Sequence, residues 1–166
     1  KVTILCAAAS FTKSLIDIAG ASTVEGVYGV FPTVGWDDNV PGLVKATEYV
    51  KKNNPKDYGN MDYLTTWSTT LMVAEILRLA LQNTPPDVLM KGNVESWRAV
   101  EKNGIQKLKD FNPGGLHGPV TYTPGDNRLA KSLKLHVIRA GKIQPISDWI
   151  TTPLIKYEDF PWFTTR

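Results

Sequence analysis

Residues 2–6, Val-Thr-Ile-Leu-Cys, are apolar and β-branched without polar alternation, the pattern of a parallel strand covered on both faces. Very small residues follow at 7–10, and then Leu15, Ile16 and Ile18 give a helix an apolar side that stops at Gly20, with Ser10 placed as its cap. Residues 26–31 read as a second strand closed by Pro32. The polar segment 33–42, "TVGWDDNVPG", leads into a helix running to about Lys52, with Asp38 or Asn39 as cap and Pro41 in the first turn. The strongest helical period runs from Asp62 to Gln82, where Leu64, Trp67, Leu71, Ala74, Leu77 and Leu81 recur as a stripe expected to face the core. "NTPPD" (83–87) reads as a loop, 93–109 as a helix interrupted near Asn103-Gly104, and 119–122 as a short strand. Residues 133–138 and 143–150 read as a hairpin around Ala140-Gly141-Lys142, its first arm alternating as a half-buried strand.

Alternating β and α elements predict an α/β fold with a parallel sheet, yet three helices in succession find few strands to cover. The sheet therefore reads as incomplete. At 166 residues the chain is long enough to bury roughly 70% of its unfolded surface, so size is not the constraint. Hydrophobic residues at 42% and charged residues at 21% describe an ordinary globular composition.

The net charge of +3 is scattered, without the basic stripe and interleaved aromatics of a nucleic-acid surface, so no nucleic acid is expected as partner. No apolar run reaches the roughly 20 residues of a membrane-spanning helix. One cysteine, Cys6, excludes an internal disulfide and a thiolate metal cage, and is expected as a buried, inert thiol. The two histidines, His117 in a glycine-rich turn and His136 on a hairpin arm, show no metal-binding spacing, and His136 reads as a surface or edge residue. Asp37 and Asp38 read as helix-capping and dipole-compensating acids. With no nucleophile elbow, no phosphate loop and no G-x-G-x-x-G, the residues call for no cofactor, no metal and no enzymatic chemistry.

The small residues after the first strand admit two readings. Either a helix packs closely and Ser10 caps it, or a ligand approaches the backbone at the carboxyl end of a parallel strand, where open α/β sheets bind. Tyr63 lies off the Leu64-Trp67-Leu71 stripe and faces either a cleft or solvent.

Three stretches in order, "SFTKSLIDIAGASTVEGVYGVFP", "YLTTWSTTLMVAEILRLAL" and "GIQKLKDFNPGGLHGPVTYTPGDNRLAKSLKLHVIRAGKIQPISDW", resemble the C-terminal half of the branched-chain amino acid-type substrate-binding proteins of bacterial ABC importers. The resemblance implies a type I periplasmic binding protein fold, two Rossmann-like lobes joined by three crossovers, with only the C-terminal half in this chain. Residues 1–31 then belong to the C-terminal lobe, 32–131 to the N-terminal lobe, and 132–166 return to the C-terminal lobe as hairpin and tail. Pro32, Thr33, Lys131 and Ser132 become hinge residues. Implied partners are a small carboxylate-bearing ligand, a membrane permease, and a preceding N-terminal segment that supplies the other strands and a signal peptide. The implied location is periplasmic or extracellular. The alternative within the same fold is the ligand-sensing domain of a receptor or regulator.

The resemblance also implies a site: Ala8, Ala9, Ser10 and Phe11 on one lobe, Asp62 and Tyr63 on the other. Amino acid-binding members carry an acid for the ligand ammonium where this chain has Ala8, and no acid occurs between positions 1 and 13. A buried ammonium without a partner is costly, which favours an aromatic or other organic acid as ligand, with Asp62 able to restore a negative charge. The aromatic tail, 157–166, is expected to pack on the body.

Overall fold

A two-residue turn sets the most regular part of the structure. In the computed structural model, which describes residues 2–126 and 128–154, Ala140 and Gly141 both adopt positive φ (50° and 72°). That turn joins β3 (Ser132–Arg139) to β4 (Lys142–Pro145) with the twist a tight hairpin requires. On its other edge β3 pairs antiparallel with β2 (Tyr28–Phe31), Gly29 standing opposite His136 and Phe31 opposite Lys134. β2 pairs parallel with β1 (Leu5–Cys6), reached through helix α1 (Lys13–Ala19). A short β5 (Ile150–Thr151) pairs with the start of β3. The sheet order is β1-β2-β3-β4, so the sheet is mixed, and only the β1-α1-β2 unit keeps the parallel pairing expected of the whole.

Three strand expectations change. β1 is two residues long, and Val2, Ile4 and Leu5 are exposed, so no described element covers it on both faces. Residues 119–122 form no strand: Val120 makes a single antiparallel bridge to Phe111. His136 is not at the surface but fully buried, because β3 is flanked by β2 and β4 and Phe31 stands edge-on against its ring at 5.7 Å.

The helices begin and end near the expected residues, while their caps differ. Thr12, not Ser10, precedes α1, and the Ser10 hydroxyl donates instead to the Ala7 carbonyl at 3.3 Å. α1 stops at Gly20, φ 84°. Helix α2 (Pro41–Asn53) has Pro41 in its first turn and Val40 as its cap residue. Asp38 therefore does not cap it; its carboxylate accepts from the Gly35 amide and from Lys134 Nζ. Asn60 caps helix α3 (Met61–Asn83), its Oδ1 accepting from the Asp62 amide at 2.9 Å. "NTPPD" is only partly loop, since α4 (Pro86–Met90) starts at the second proline, and α5 (Val94–Asn103) opens with a reciprocal Asn93/Ser96 capping box.

The face α3 buries keeps Leu64 of the predicted stripe, with Trp67 half-buried beside the core, but not the leucines further along. Met61, Leu64, Ser68, Ile76 and Ala80 point inward, while Leu71, Leu77 and Leu81 stand 37%, 45% and 51% exposed. The larger core gathers Phe11, Phe31, Trp36, Leu43, Met61 and Ile138, drawing on all three of the segments 1–31, 32–131 and 132–154. Ile76, Leu108 and Val120 form a second, smaller core around the far end of α3. Gly29 is required in the first: a Cβ there would lie 2.1 Å from the Phe11 ring. Cys6 is half-buried rather than buried. The tail 157–166 lies outside the described residues.

Candidate functional site

The start of α3 is held by two contacts. The Asn60 side chain caps the helix, and the Asn60 carbonyl accepts from the buried Trp36 indole at 2.9 Å. Asp62 and Tyr63 thus occupy the first helical turn on a supported backbone, and Tyr63 is not off the expected stripe but shares a side with Trp67 and Leu71, one and two turns further along. Across from them, Tyr49 on α2 packs its ring against Trp67, centroids 5.4 Å apart. Together with Asp57, these residues line an open groove of about 550 Å³. The Trp36 ring lies 6.2 Å from that of Tyr63 and 5.0 Å from that of Tyr58, so the aromatic cluster continues beyond the groove lining. Among the described residues neither Asp57 nor Asp62 has a side-chain hydrogen bond or an ion pair.

The other expected site residues lie elsewhere. Ala8, Ala9 and Ser10 form a single 3-10 turn after β1, Ala8 packed at the edge of the core and Ala9 and Ser10 exposed. Phe11 is a core residue with 0% exposure, its ring on Gly29 and 6.1 Å from Phe31. None of the four lines the groove that holds Asp62 and Tyr63, so the structure does not bring the two halves of the expected site into one cavity.

The expected hinge residues do come together at one end of the sheet, because the register that sets Phe31 opposite Lys134 carries both chains out there. Thr33 is buried, bridges His117 through the backbone, and shares a hydroxyl–hydroxyl hydrogen bond with Thr65 at 3.3 Å. The Lys131 carbonyl accepts from the Thr152 amide at 2.8 Å, and Ser132 fills the space beside Gly118.

Two histidines and one ion pair near this end carry no local sequence signal. His117 is buried beside the Phe111 ring, its Nδ1 2.7 Å from the Gly118 carbonyl and its Nε2 without a partner among the described residues; burial pushes its pKa down against that hydrogen bond. Burial likewise holds His136 down at about 4, partly offset by the Lys134 backbone and the Asp38 charge. Lys134, 8% exposed, meets Asp38 at 3.1 Å across 96 residues of sequence. Among the described residues no three His, Cys, Asp or Glu side chains gather as a metal-binding group.

No family model and no curated protein sequence matches the chain. Solved structures do. A branched chain amino acid ABC transporter from Thermus thermophilus with bound valine matches with a TM-score of 0.71 at 17% identity, over 92% of this chain and 40% of that one. A fatty acid ABC transporter substrate-binding protein from Thermomonospora curvata matches at 0.67 and 15% identity, over 92% and 37%. An extracellular ligand-binding receptor from Rhodopseudomonas palustris HaA2 matches at 0.58 and 20% identity, over 88% and 40%. The chain therefore has the α/β fold of type I periplasmic binding proteins, over a part equal to about two fifths of the length of the structures it matches.

Proposed function

We propose that this chain forms part of an extracytoplasmic solute-binding protein that closes around a small organic acid or amino acid and presents it to the membrane permease of an ABC importer. The observation that carries the reading is the fold likeness, at TM-scores up to 0.71, to substrate-binding proteins and extracellular ligand receptors. The reading assigns binding and no bond-making chemistry. Asp62 and Tyr63 contact the ligand from one lobe, and the 8–11 turn approaches it from the other when the lobes close about Pro32, Thr33, Lys131 and Ser132. Residues 1–31 and 132–166 serve one lobe and 32–131 the other. A complementing stretch of polypeptide covers the outer edge of β1 and the exposed Leu77 and Leu81 of α3, surfaces unusual for a finished lobe.

Thermal unfolding of the full chain, as its gene encodes it, with valine, leucine, benzoate or phenylacetate tests the reading. A ligand that binds only the folded state at a hundred times its Kd adds about 2.7 kcal/mol and raises the melting temperature by several degrees. A flat response to every compound in both classes refutes it. A receptor or regulator on the same fold is the second reading, favoured by the neighbours described as extracellular ligand-binding receptors.

A further inference from the structure

Beyond its first turn, α3 presents an apolar flank that nothing among the described residues covers. The groove of about 550 Å³ that begins at Asp62 and Tyr63 meets a second, of about 270 Å³, at Thr66 and Thr70. The joined surface carries Tyr49, Trp67, Leu71 and Val73, of which Tyr49, Leu71 and Val73 are 49%, 37% and 47% exposed. Contiguous apolar surface of this kind, banded by threonine hydroxyls, is the mark of a docking site.

The end of the described chain lies beside this flank. Thr151 pairs with Ser132, Thr152 bonds Lys131, and the Pro153 carbonyl accepts from Arg128 at 2.7 Å. Leu129, next to Arg128, and Met72, next to Val73, pack against the same small core. On the side of the sheet end, Thr33 links His117 to Thr65, which lines the second groove. Twelve residues, 155–166, follow Leu154 in the sequence, enough to span about 40 Å when extended, and the flank, one small core away, is inside that reach. Their chemistry matches it. Tyr157, Phe160, Trp162 and Phe163 fall within seven positions, and Pro161 between two rings favours an extended backbone that sends neighbouring side chains in different directions. Aromatic-lined grooves bind segments of this kind because a chain already stiffened by proline loses little entropy on docking.

We propose that residues 155–166 fold back along α3 and seat the rings of Phe160, Trp162 and Phe163 over Trp67, Leu71 and Val73. The contact goes beyond the solute-binding reading and leaves the first turn, with Asp62 and Tyr63, to the ligand. A segment tethered this closely reaches an effective concentration in the millimolar range, so a contact too weak to hold a free peptide still forms within the chain.

Photocross-linking of the full chain, as its gene encodes it, with p-benzoylphenylalanine placed at Phe163 tests this without any ligand. The expected product is monomeric, and peptide mapping puts the new bond within residues 63–73 or at Tyr49. Leu71→Glu, at a side chain already exposed, sets a charge in the apolar contact and should lower the yield of that product about fivefold or more while leaving the melting temperature within a degree or two. Val73→Glu should act in the same direction. Cross-links mapped only to the groove of Leu77, Leu81 and Trp97, cross-links only between two molecules, no cross-link at all, or a yield unchanged in both Glu variants each overturn the proposal, and all four leave the solute-binding reading standing.

Discussion

Acidifying the protein from pH 7 to pH 4 should remove about 3 kcal/mol of stability through one side chain, His136. It sits in the middle of β3 between Gly29 and Pro145, fully buried, with Phe31 edge-on at 5.7 Å and neither ring nitrogen well hydrogen-bonded among the described residues. Burial holds its pKa at about 4, against 6.5 in the unfolded chain. The unfolded state therefore takes up the proton first as pH falls. Stability is full above pH 6.5, declines through the window from 6.5 to about 4, and levels below it. At about 1.4 kcal/mol per pH unit, that window amounts to about 3 kcal/mol, a large share of the 5–15 kcal/mol of an ordinary domain.

Urea unfolding of the wild type and of His136→Leu at half-unit steps from pH 7.5 to 4 isolates the effect, because every other titrating group, His117 included, is common to both proteins. Leucine is close in volume and brings no unpartnered nitrogen, so the variant should equal or exceed the wild type at pH 7. The gap between the two should then widen by about 3 kcal/mol at pH 4 with m-values unchanged. Parallel curves over the whole range would refute the argument, since they would mean that the ring is protonated in the folded state without penalty.

Packing and pairing make further predictions. Gly29→Ala should cost about 1–3 kcal/mol, because its new Cβ falls 2.1 Å from the Phe11 ring, and Phe11→Leu in the same chain should recover part of that loss; strict additivity in the four-variant cycle would argue against the contact. Asp38→Asn should cost roughly 2–4 kcal/mol by stranding the Lys134 ammonium, 8% exposed, whereas Asp17→Asn, at the exposed Lys13 pair, should stay within about 0.5 kcal/mol; equal urea midpoints for the two variants would sink the distinction. Leu77→Glu with Leu81→Glu should lower binding of a hydrophobic dye and leave this chain's own unfolding free energy within about 0.5 kcal/mol, as expected of side chains already 45% and 51% exposed; a large loss of stability would mean that the face is buried.

What was legible in the sequence is what local chemistry decides. Pro41 opening α2, Gly20 closing α1 and the Ala140-Gly141 turn each need only their own backbone geometry, and each lies where the residues predict. The caps were less legible because several short polar residues compete near each helix start, and Asp38 is drawn instead to Lys134, 96 positions away. The same distance effect hid the burial of His136. The run Leu133-Lys134-Leu135-His136 suggests leucines inside, but both faces of β3 are at least half covered, and the polar pair faces the turn that carries Gly35 and Asp38. In the candidate site, Asp62 and Tyr63 could be named from the resemblance. Tyr49, Asp57 and Trp67 could not, since they meet only when α2 and the loop after it fold back on α3.

The face of α3 is the most informative failure. The helix is apolar on two sides: a row through Met61, Leu64, Ser68, Ile76 and Ala80, and another through Leu77 and Leu81. Periodicity weighs the leucine row more heavily, yet this chain buries the other row, on which Ile76 comes close to the chain at 104 because a glycine stands there; a Cβ at Gly104 would lie 2.6 Å from the Ile76 carbonyl. A leucine row kept at the surface on the longest helix is hard to account for by this chain's own packing. It is accounted for if the helix packs on two sides in the assembled protein, one side against the elements described above and the other against the polypeptide proposed to complete the lobe.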